Sequence, residues 1–228
     1  MTASHHALTR LLLAGGAIGG PLFVSVFTVE GARREGYEPL REPVSALALG
    51  ERGWVQRTNF VATGVLMLAC SLGFARLPPN HPAASRWGAR FVGMYAIGLV
   101  GAGVFVTDPV EYGAPDPGAQ TDLSQRGVLH GLFSMQVFGA LGMAALTYSA
   151  RFARAGKPAW AATSALVGFL VPSGIVMFGR ALSRDGELRG VAGLIQRLTI
   201  IAGWSWVSAL ALAARHVEPG FASGTRRG

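Results

Sequence analysis

Three side chains that could transfer protons lie near the ends of apolar runs, namely Glu42, Asp108 and His130. An imidazole titrates near neutral pH, and a neighbouring carboxylate can orient its ring or share its proton. Ser134 follows His130 by one helical turn and therefore shares its face of a helix. If these groups meet, the chemistry they predict is general acid–base catalysis.

Arginines and further polar or aromatic residues near the same level would hold the substrate, together with Trp204, an indole well inside the sixth span that could line a cavity for a flat hydrophobic ligand. A guanidinium binds a phosphate or carboxylate with two parallel hydrogen bonds. Ionisable groups at membrane depth usually face a bundle interior or a wet cavity. The predicted substrate-binding residues are Arg41, Ser45, Trp54, Ser134, Arg180, Arg197 and Trp204.

A purely structural role accounts for the same residues. Asp108 and Glu42 would then pair with arginines and pin loops over the bundle, and His130 would cap a helix start or bond a carbonyl. The sequence contains no HExxH or GxSxG motif, and its five histidines are scattered. A zinc site would need His130 plus carboxylates. We predict no metal site and no cofactor.

The elements that must position these residues are six long apolar runs. Half of the 228 residues are hydrophobic and only 14% are charged, a composition typical of polytopic membrane proteins. Each run approaches the roughly 20 apolar residues that a bilayer requires of a helix. The predicted spans are residues 11–29, 58–77, 88–107, 127–149, 159–180 and 194–214. The predicted fold is an all-α polytopic membrane bundle of six transmembrane helices, with a short interfacial helix in the first outer loop.

The formal net charge of +8 fits a membrane protein better than a nucleic-acid-binding one. Arginines near the ends of spans face anionic headgroups, and no basic run with interleaved aromatic residues is present. We therefore expect membrane lipids or a lipophilic small molecule as partners, and no nucleic acid. The single cysteine, Cys70, excludes an intramolecular disulfide.

The charges differ between the two ends of the predicted bundle. Basic residues divide evenly, ten on each side, whereas eleven of the twelve acidic residues fall in the first, third and fifth loops. We call that side the acidic end and the side with both termini the basic end. The unpaired cations at the basic end favour cytoplasmic termini in a multi-pass protein of the cell membrane. The acidic end, with its longer loops, is where a functional site is expected.

The first acidic-end loop contains a short apolar element between charged residues. Proline at position 43 suits the first turn of a helix, and Gly50 is a natural helix stop. Residues 43–49 are too few to span a bilayer. We predict a short helix that lies on the membrane surface or dips into it and presents Arg41, Glu42 and Ser45 to the bundle mouth.

Glycines in the first span are spaced for close helix packing. Gly15 and Gly19, and likewise Gly16 and Gly20, are four residues apart on one face. This pattern could drive homo-oligomerisation, although packing within one monomer is its commoner cause. The predicted domain organisation is an N-terminal tail (1–10), the transmembrane domain (11–214) and a disordered basic tail (215–228). Residues 111–122 are predicted to form a mobile loop.

Several segments resemble a known family. These are "GPLFVSVFTVEGARREGYEPLREPVSALALGERGWVQRTNF", "GAGVFVTDP", "HGLFS" and "RLTIIAGWSWVSALAL". Over residues 11–214 the chain resembles the bacterial membrane-protein family catalogued as domain of unknown function 998. The resemblance implies a compact helical membrane bundle and leaves the activity open.

Two functional hypotheses follow from the sequence. One is a membrane-embedded enzyme that acts by acid–base chemistry on a lipid or isoprenoid-like substrate at the outer half of the bilayer. The other is a non-enzymatic membrane module that binds or moves a lipophilic solute or assembles with a partner protein. The first requires Asp108 or Glu42 to lie within hydrogen-bond reach of His130, beside a cavity that is open to lipid.

Overall fold

The computed structural model describes residues 3–109, 123–182 and 188–215. Within these ranges the chain is entirely helical, which confirms the predicted fold class. The α-helices are α1 (Ala3–Arg33), α2 (Gly53–Ala75), α3 (Arg86–Val104), α4 (Gln125–Arg154), α5 (Pro158–Ala181) and α6 (Ala192–Arg215). Two short 3-10 helices, Val44–Ala48 and Arg189–Val191, complete the described structure.

Six helices of this bundle are long and apolar enough to cross a membrane, as the sequence predicted. Each packs against its neighbours in the chain, and α6 also packs against α1, so that the six helices form a closed ring. A helix is the natural solution for such segments because it satisfies its own backbone hydrogen bonds in hydrocarbon. Serine caps start α3 and α4, since Ser85 and Ser124 accept the amide protons of Gly88 and Gly127.

The ends of the chain differ in part from the prediction. Residues 3–10 belong to α1, whereas the sequence analysis assigned them to a tail. Polar residues there continue the helix because helical hydrogen bonding depends little on the side chain. The predicted disordered tail begins at the last described residue, Arg215, and residues 216–228 lie outside the described residues. The predicted mobile loop, residues 111–122, also lies outside them.

The glycines of α1 pack inside the monomer. A Cβ atom on Gly15 would lie 2.4 Å from the Leu66 carbonyl oxygen, and one on Gly16 would lie 2.2 Å from Cys70 Sγ. Gly19 and Gly20 face α2 and α6 in the same way. The four glycines therefore let α1 approach its neighbours closely. Oligomerisation stays a prediction, and it would need another surface than these buried residues.

The first acidic-end loop is folded into the bundle rather than laid on its surface. We call residues 34–52 the plug. Val44, Leu47 and Ala48 of its 3-10 helix are buried, and the helix contacts α1, α2 and α6. The predicted interfacial helix is thus corrected to a 3-10 turn inserted into the mouth of the ring, because its apolar side chains gain more from the core than from the interface. It ends near Gly50, whose φ of +70° favours glycine.

The start of α6 anchors the middle of the plug. The first amides of a helix have no partner inside the helix. Here the N–H groups of Gly193 and Leu194 donate to the carbonyl oxygens of Arg41 and Leu40, at 3.1 and 3.0 Å. The Val44 N–H donates to Gln196 Oε1 at 2.7 Å. Backbone groups of the plug and of α6 thus satisfy each other's hydrogen bonds.

An ionic cluster joins the two ends of the plug. Arg52 donates to both carboxylate oxygens of Glu30, at 3.0 and 2.7 Å. Arg34 donates to Glu30 at 3.1 Å and to the Leu49 carbonyl oxygen at 2.7 Å. Glu30 is only 3% exposed, and such a carboxylate needs charged partners. The cluster closes the loop where it leaves α1 and enters α2.

At the basic end, His81 lies in the short connection between α2 and α3. Its Nδ1 accepts the Ala83 N–H at 3.0 Å, and its carbonyl oxygen accepts a hydrogen bond from Arg151 at 2.9 Å. Burial first, and then the charge of Arg151, lowers the pKa of this imidazole below its ordinary value. His81 is therefore held in its neutral form.

Candidate functional site

A narrow cavity of about 30 Å³ lies inside the ring, directly beneath the plug. The plug, α1, α2, α3, α4 and α6 all contribute to its wall. The lining residues are Phe23, Val44, Ser45, Phe60, Leu99, Ala102, Ser134, Val137, Phe138, Gln196, Ile200 and Trp204. This wall is mostly apolar and aromatic, contains a few polar groups and carries no charged side chain, as is common in sites for small apolar ligands.

Helical spacing directs the polar groups of α6 and α4 into the cavity. Gln196 and Trp204 are separated by two turns of α6, so they lie on one face. Ser134 of α4 lies on the face that also carries Val137. Ser45 reaches the cavity from the plug. Three predicted substrate-binding residues, Ser45, Ser134 and Trp204, are therefore brought together, although they lie far apart in the chain.

Trp204 is the central side chain of the site. Its ring lies 5.6 Å from that of Phe23, 5.1 Å from that of Tyr95 and 5.9 Å from that of Phe138, measured between centroids. It is only 1% exposed, yet its indole N–H has no hydrogen-bond partner among the residues that the structure describes. By contrast, the nearby Trp206 donates to the Ser164 hydroxyl at 3.0 Å. An unpaired buried N–H is costly and is rare in native structures.

The cavity presents further hydrogen-bonding groups. Among the described residues, no group forms a hydrogen bond with the hydroxyls of Ser45 and Ser134 or with the amide nitrogen of Gln196. Together with the Trp204 N–H, these groups could bind a small polar moiety that is surrounded by aromatic rings. The volume of about 30 Å³ is enough for one or two water molecules.

His130 is bound to backbone carbonyls. Its Nδ1 lies 3.0 Å from the Ala102 oxygen and 2.8 Å from the Phe105 oxygen. Both neighbours are acceptors, so Nδ1 must carry the proton. The ring meets that of Phe60 edge-on at a centroid distance of 6.2 Å. His130 therefore holds the end of α3 against α4, which is the structural role that the sequence analysis kept as an alternative.

Asp108 binds the start of α4 and not His130. Its Oδ2 accepts the Ser124 N–H at 2.9 Å, and its Oδ1 accepts the Ser124 hydroxyl at 2.6 Å. A Cβ atom on Gly127 would lie 2.0 Å from Oδ2, so glycine makes room for the carboxylate. An anion at a helix N-terminus is stabilised by the helix dipole. Asp108 thus connects the chain after α3 to α4.

Glu42 and Arg41 lie on the outer surface of the plug. Glu42 Oε1 accepts the Glu38 N–H at 2.9 Å. Arg41 forms an ion pair with Glu38 at 3.2 Å, and both side chains are more than half exposed. Such an exposed pair contributes little to stability. Among the described residues, neither Glu42 nor Asp108 forms a hydrogen bond with His130. The catalytic role of the three residues stays a prediction.

Arg197 fastens the plug instead of facing the cavity. One guanidinium nitrogen donates to the carbonyl oxygens of Glu42 at 2.8 Å and Gly193 at 3.1 Å, and it also contacts that of Pro39. The other donates to the Tyr37 hydroxyl. Burial raises the pKa of Tyr37 above its ordinary value, so the hydroxyl stays protonated. Arg197 therefore holds two backbone carbonyls and one side-chain hydroxyl of the plug to α6.

The two remaining predicted substrate-binding residues lie elsewhere. Trp54 is exposed and lines a groove between α2 and α3 on the outside of the ring. Arg180 is exposed in the last turn of α5. Neither residue lines the central cavity.

Several polar residues of the bundle interior were missed by the sequence analysis. Gln56, Asn59 and Thr63 are buried on one face of α2, and each carries a polar atom without a partner in the described part of the chain. Asn59 also donates to the Phe23 carbonyl oxygen at 3.1 Å. Their spacing of three and four residues within an apolar run was the available signal. Gln196 was not among the predicted site residues, yet it both lines the cavity and binds the plug.

A family comparison agrees with this architecture. The profile described as "Protein of unknown function (DUF998)" matches residues 17–213. The chain belongs to the DUF998 family. This assignment confirms the resemblance noted in the sequence, and with the six apolar helices it identifies an integral, multi-pass membrane protein. No curated protein and no solved structure matches the chain.

Proposed function

We propose that this DUF998 protein is a non-enzymatic membrane module that binds a lipophilic solute with a small, uncharged hydrogen-bonding head. The head would lie in the central cavity, among the Trp204 N–H, the hydroxyls of Ser45 and Ser134 and the amide of Gln196. The observation that carries the proposal is that the Trp204 N–H, a buried donor without a partner among the described residues, shares one cavity with Ser45, Ser134 and Gln196. The absence of a charged side chain from the lining disfavours an ionic head.

Binding would give the Trp204 N–H a hydrogen-bond partner. A buried donor without a partner costs about 1–3 kcal/mol, and a ligand acceptor beside the Trp204 N–H would remove that cost. The aromatic rings of Phe23, Tyr95 and Phe138 around Trp204 supply apolar contact for the part of the solute nearest the head. Since Val44 and Ser45 form one wall of the cavity, the plug must shift to admit the solute.

The enzymatic hypothesis has weaker support. It needs a carboxylate next to His130, yet the carboxylates of Asp108 and Glu42 are occupied by backbone and serine donors. The imidazole is likewise occupied at Nδ1 by two carbonyl oxygens. Our proposal expects cells that produce His130→Ala or Asp108→Asn protein at normal levels to show unchanged lipid extracts. An altered lipid in both variants would favour catalysis.

A matched pair of probes tests the binding proposal directly. 1-Octanol and n-octane have the same chain length, but only the alcohol has a head that can donate and accept hydrogen bonds. We expect 1-octanol to raise the unfolding temperature of the purified protein in detergent micelles more than n-octane does. Equal shifts for both probes would contradict the proposal, since the polar groups of the cavity would then play no part.

Two neighbouring positions on α4 provide the control. Ser134 lines the cavity, whereas Met135 is 60% exposed on the lipid-facing side. Ser134→Val should abolish the difference between 1-octanol and n-octane because it removes the hydroxyl and fills space. Met135→Val should leave the difference unchanged. A difference that survives in Ser134→Val would place the binding site elsewhere.

We further propose that the protein lies in the cell membrane, with both termini in the cytoplasm. The support is the charge distribution, since eleven of the twelve acidic residues occupy the loops of the acidic end and uncompensated cations occupy the basic end. A reporter enzyme that is active only in the cytoplasm, fused after residue 228, should be active. The same reporter fused within residues 111–122 should be inactive, and the reverse pattern would overturn this orientation.

A further inference from the structure

A second concave feature lies on the outside of the ring, where α2 and α3 meet near the acidic end. It is an open groove of about 540 Å³, far larger than the central cavity. The residues that line it are Trp54, Arg57, Thr58, Val61, Ala62, Gly103 and Val104. None of them lines the central cavity, so the groove is a separate site.

The floor of the groove is formed by a close approach of the two helices. A Cβ atom on Gly103 would lie 2.8 Å from a methyl carbon of Val61 and 2.9 Å from the Arg57 carbonyl oxygen. Any other residue at position 103 would push α3 away or protrude into the groove. The lower wall, formed by Val61, Ala62 and Val104, is apolar. It can therefore contact a hydrocarbon chain along the helix axes.

The upper part of the groove is polar and cationic. Trp54 is 65% exposed, as expected for an indole at the membrane interface. Arg57 lies four residues after the start of α2 at Gly53, which places it about 6 Å further along the helix axis. A lipid-facing guanidinium at this depth is unfavourable unless an anion accompanies it or its side chain reaches the interface.

The protein itself supplies no such anion within residues 3–109, 123–182 and 188–215. The described ion pairs join Glu30 to Arg34 and Arg52, and Glu38 to Arg41. No described side chain forms an ion pair or a hydrogen bond with the Arg57 guanidinium. The groove thus combines an uncompensated cation, an interfacial indole and an apolar channel below them.

We propose that this groove binds one anionic phospholipid. The phosphate accepts hydrogen bonds from Arg57 and from the Thr58 hydroxyl, the indole of Trp54 lies at the level of the headgroup, and an acyl chain follows Val61 and Val104. Charge complementarity favours an anionic lipid over a zwitterionic one, whose headgroup brings its own cation. This site explains why an arginine interrupts the apolar start of α2.

Native mass spectrometry can test the preference for charge. The full-length protein in a mild detergent is mixed with equal amounts of phosphatidylglycerol and phosphatidylcholine, and the first lipid retained in the gas phase is identified. We expect phosphatidylglycerol to be enriched about fivefold, the ratio that corresponds to about 1 kcal/mol for one arginine near an anionic headgroup. Equal retention of the two lipids by the wild-type protein would overturn the proposal.

Three variants locate the site. Arg57→Gln removes the charge, and Thr58→Trp keeps the charge but fills the groove at an exposed position; both should abolish the enrichment. Arg33→Gln is the matched control, because Arg33 is an exposed arginine at the same end of the bundle that does not line the groove. It should retain the enrichment. Loss of enrichment in Arg33→Gln to the same extent as in Arg57→Gln would show a general effect of net charge and would refute a specific site.

Discussion

The hydrogen bond between Gln196 and the plug offers a quantitative test of how the bundle mouth is held. The Val44 N–H donates to Gln196 Oε1 at 2.7 Å, and the two residues are 1% and 7% exposed. As the first amide of its 3-10 helix, this N–H has no partner within the helix. Gln196→Leu removes the acceptor and keeps a side chain of similar size.

The expected loss follows from burial. A buried donor that loses its only partner costs about 1–3 kcal/mol, more than the net gain of an average hydrogen bond, because water cannot replace the acceptor. We therefore expect Gln196→Leu to lower the free energy of unfolding by about 1–3 kcal/mol. Reversible unfolding in mixed micelles of a mild detergent and sodium dodecyl sulfate, followed by circular dichroism, measures this change.

Gln136 is the matched control for this substitution. Its amide donates to the Met94 carbonyl oxygen at 2.8 Å on the exposed side of the bundle. That carbonyl lies within α3, where the helix already supplies a partner. Gln136→Leu should therefore cost less than Gln196→Leu. Similar losses for the two variants would refute the reasoning that the buried, otherwise unpaired N–H is what matters.

A double-mutant cycle separates the hydrogen bond from other effects of the substitution. Val44→Pro removes the donor itself, and the backbone tolerates it because Pro43 already has ψ of 156°, the extended conformation required before a proline. With both partners removed, no buried amide is left unpaired. The double variant should therefore be more stable than the sum of the two single losses predicts, by about 1 kcal/mol or more. Strict additivity would show that the two groups do not interact.

Three further outcomes are expected from the same unfolding assay. Trp206→Phe should cost about 1 kcal/mol more than Trp204→Phe, because the first indole donates a buried hydrogen bond and the second does not; equal losses would contradict the structure. His81 has a lower pKa in the folded protein than in the unfolded chain, so folding favours its neutral form. Its contribution to the free energy of unfolding should therefore be complete above the unfolded pKa of 6.5 and should be lost as the pH falls through the lowered folded pKa. A His81→Gln variant should lack that step, and a step that persists would assign it to another group. Gly15→Ala should destabilise by about 1–3 kcal/mol through overpacking, whereas Gly139→Ala, where a Cβ atom meets nothing within 4 Å, should be neutral or slightly stabilising. A large loss of stability for Gly139→Ala would contradict the structure, in which the space around Gly139 is open.

The candidate site was predicted in part from the sequence. Ser45 and Ser134 were identified as polar residues near the acidic end, and Trp204 as an indole inside the sixth span; all three line the same cavity. Their selection needed only their residue type and their position relative to the apolar runs. Asp108 and His130, which were predicted to act together, form their described hydrogen bonds with other groups. Asp108 binds Ser124, and His130 binds backbone carbonyl oxygens. Residue type and depth do not say which atom a side chain meets.

The sequence alone determined the number of helices and which segments lie in the hydrocarbon of the membrane. A run of about 20 apolar residues must cover its backbone groups by forming a helix, whatever its neighbours are. The six spans, the all-helical class and the unequal charge of the two ends therefore follow from local composition. The observed helices differ from the predicted spans mainly at their ends, where polar residues extend a helix beyond the hydrocarbon.

Only the tertiary structure decided where the plug lies and which partners the polar groups of the interior meet. Residues 43–49 could have lain on the membrane surface, since their pattern suits either place. Val44, Leu47 and Ala48 of this segment are buried, and Gln196, more than 150 residues away in the chain, accepts the hydrogen bond of the Val44 N–H. Arg197 binds the carbonyl oxygen of Glu42, directly before the segment. Such partners are set by which helices become neighbours when the ring closes. Because a hydrogen bond depends on distances of a few tenths of an ångström, no local pattern encodes it.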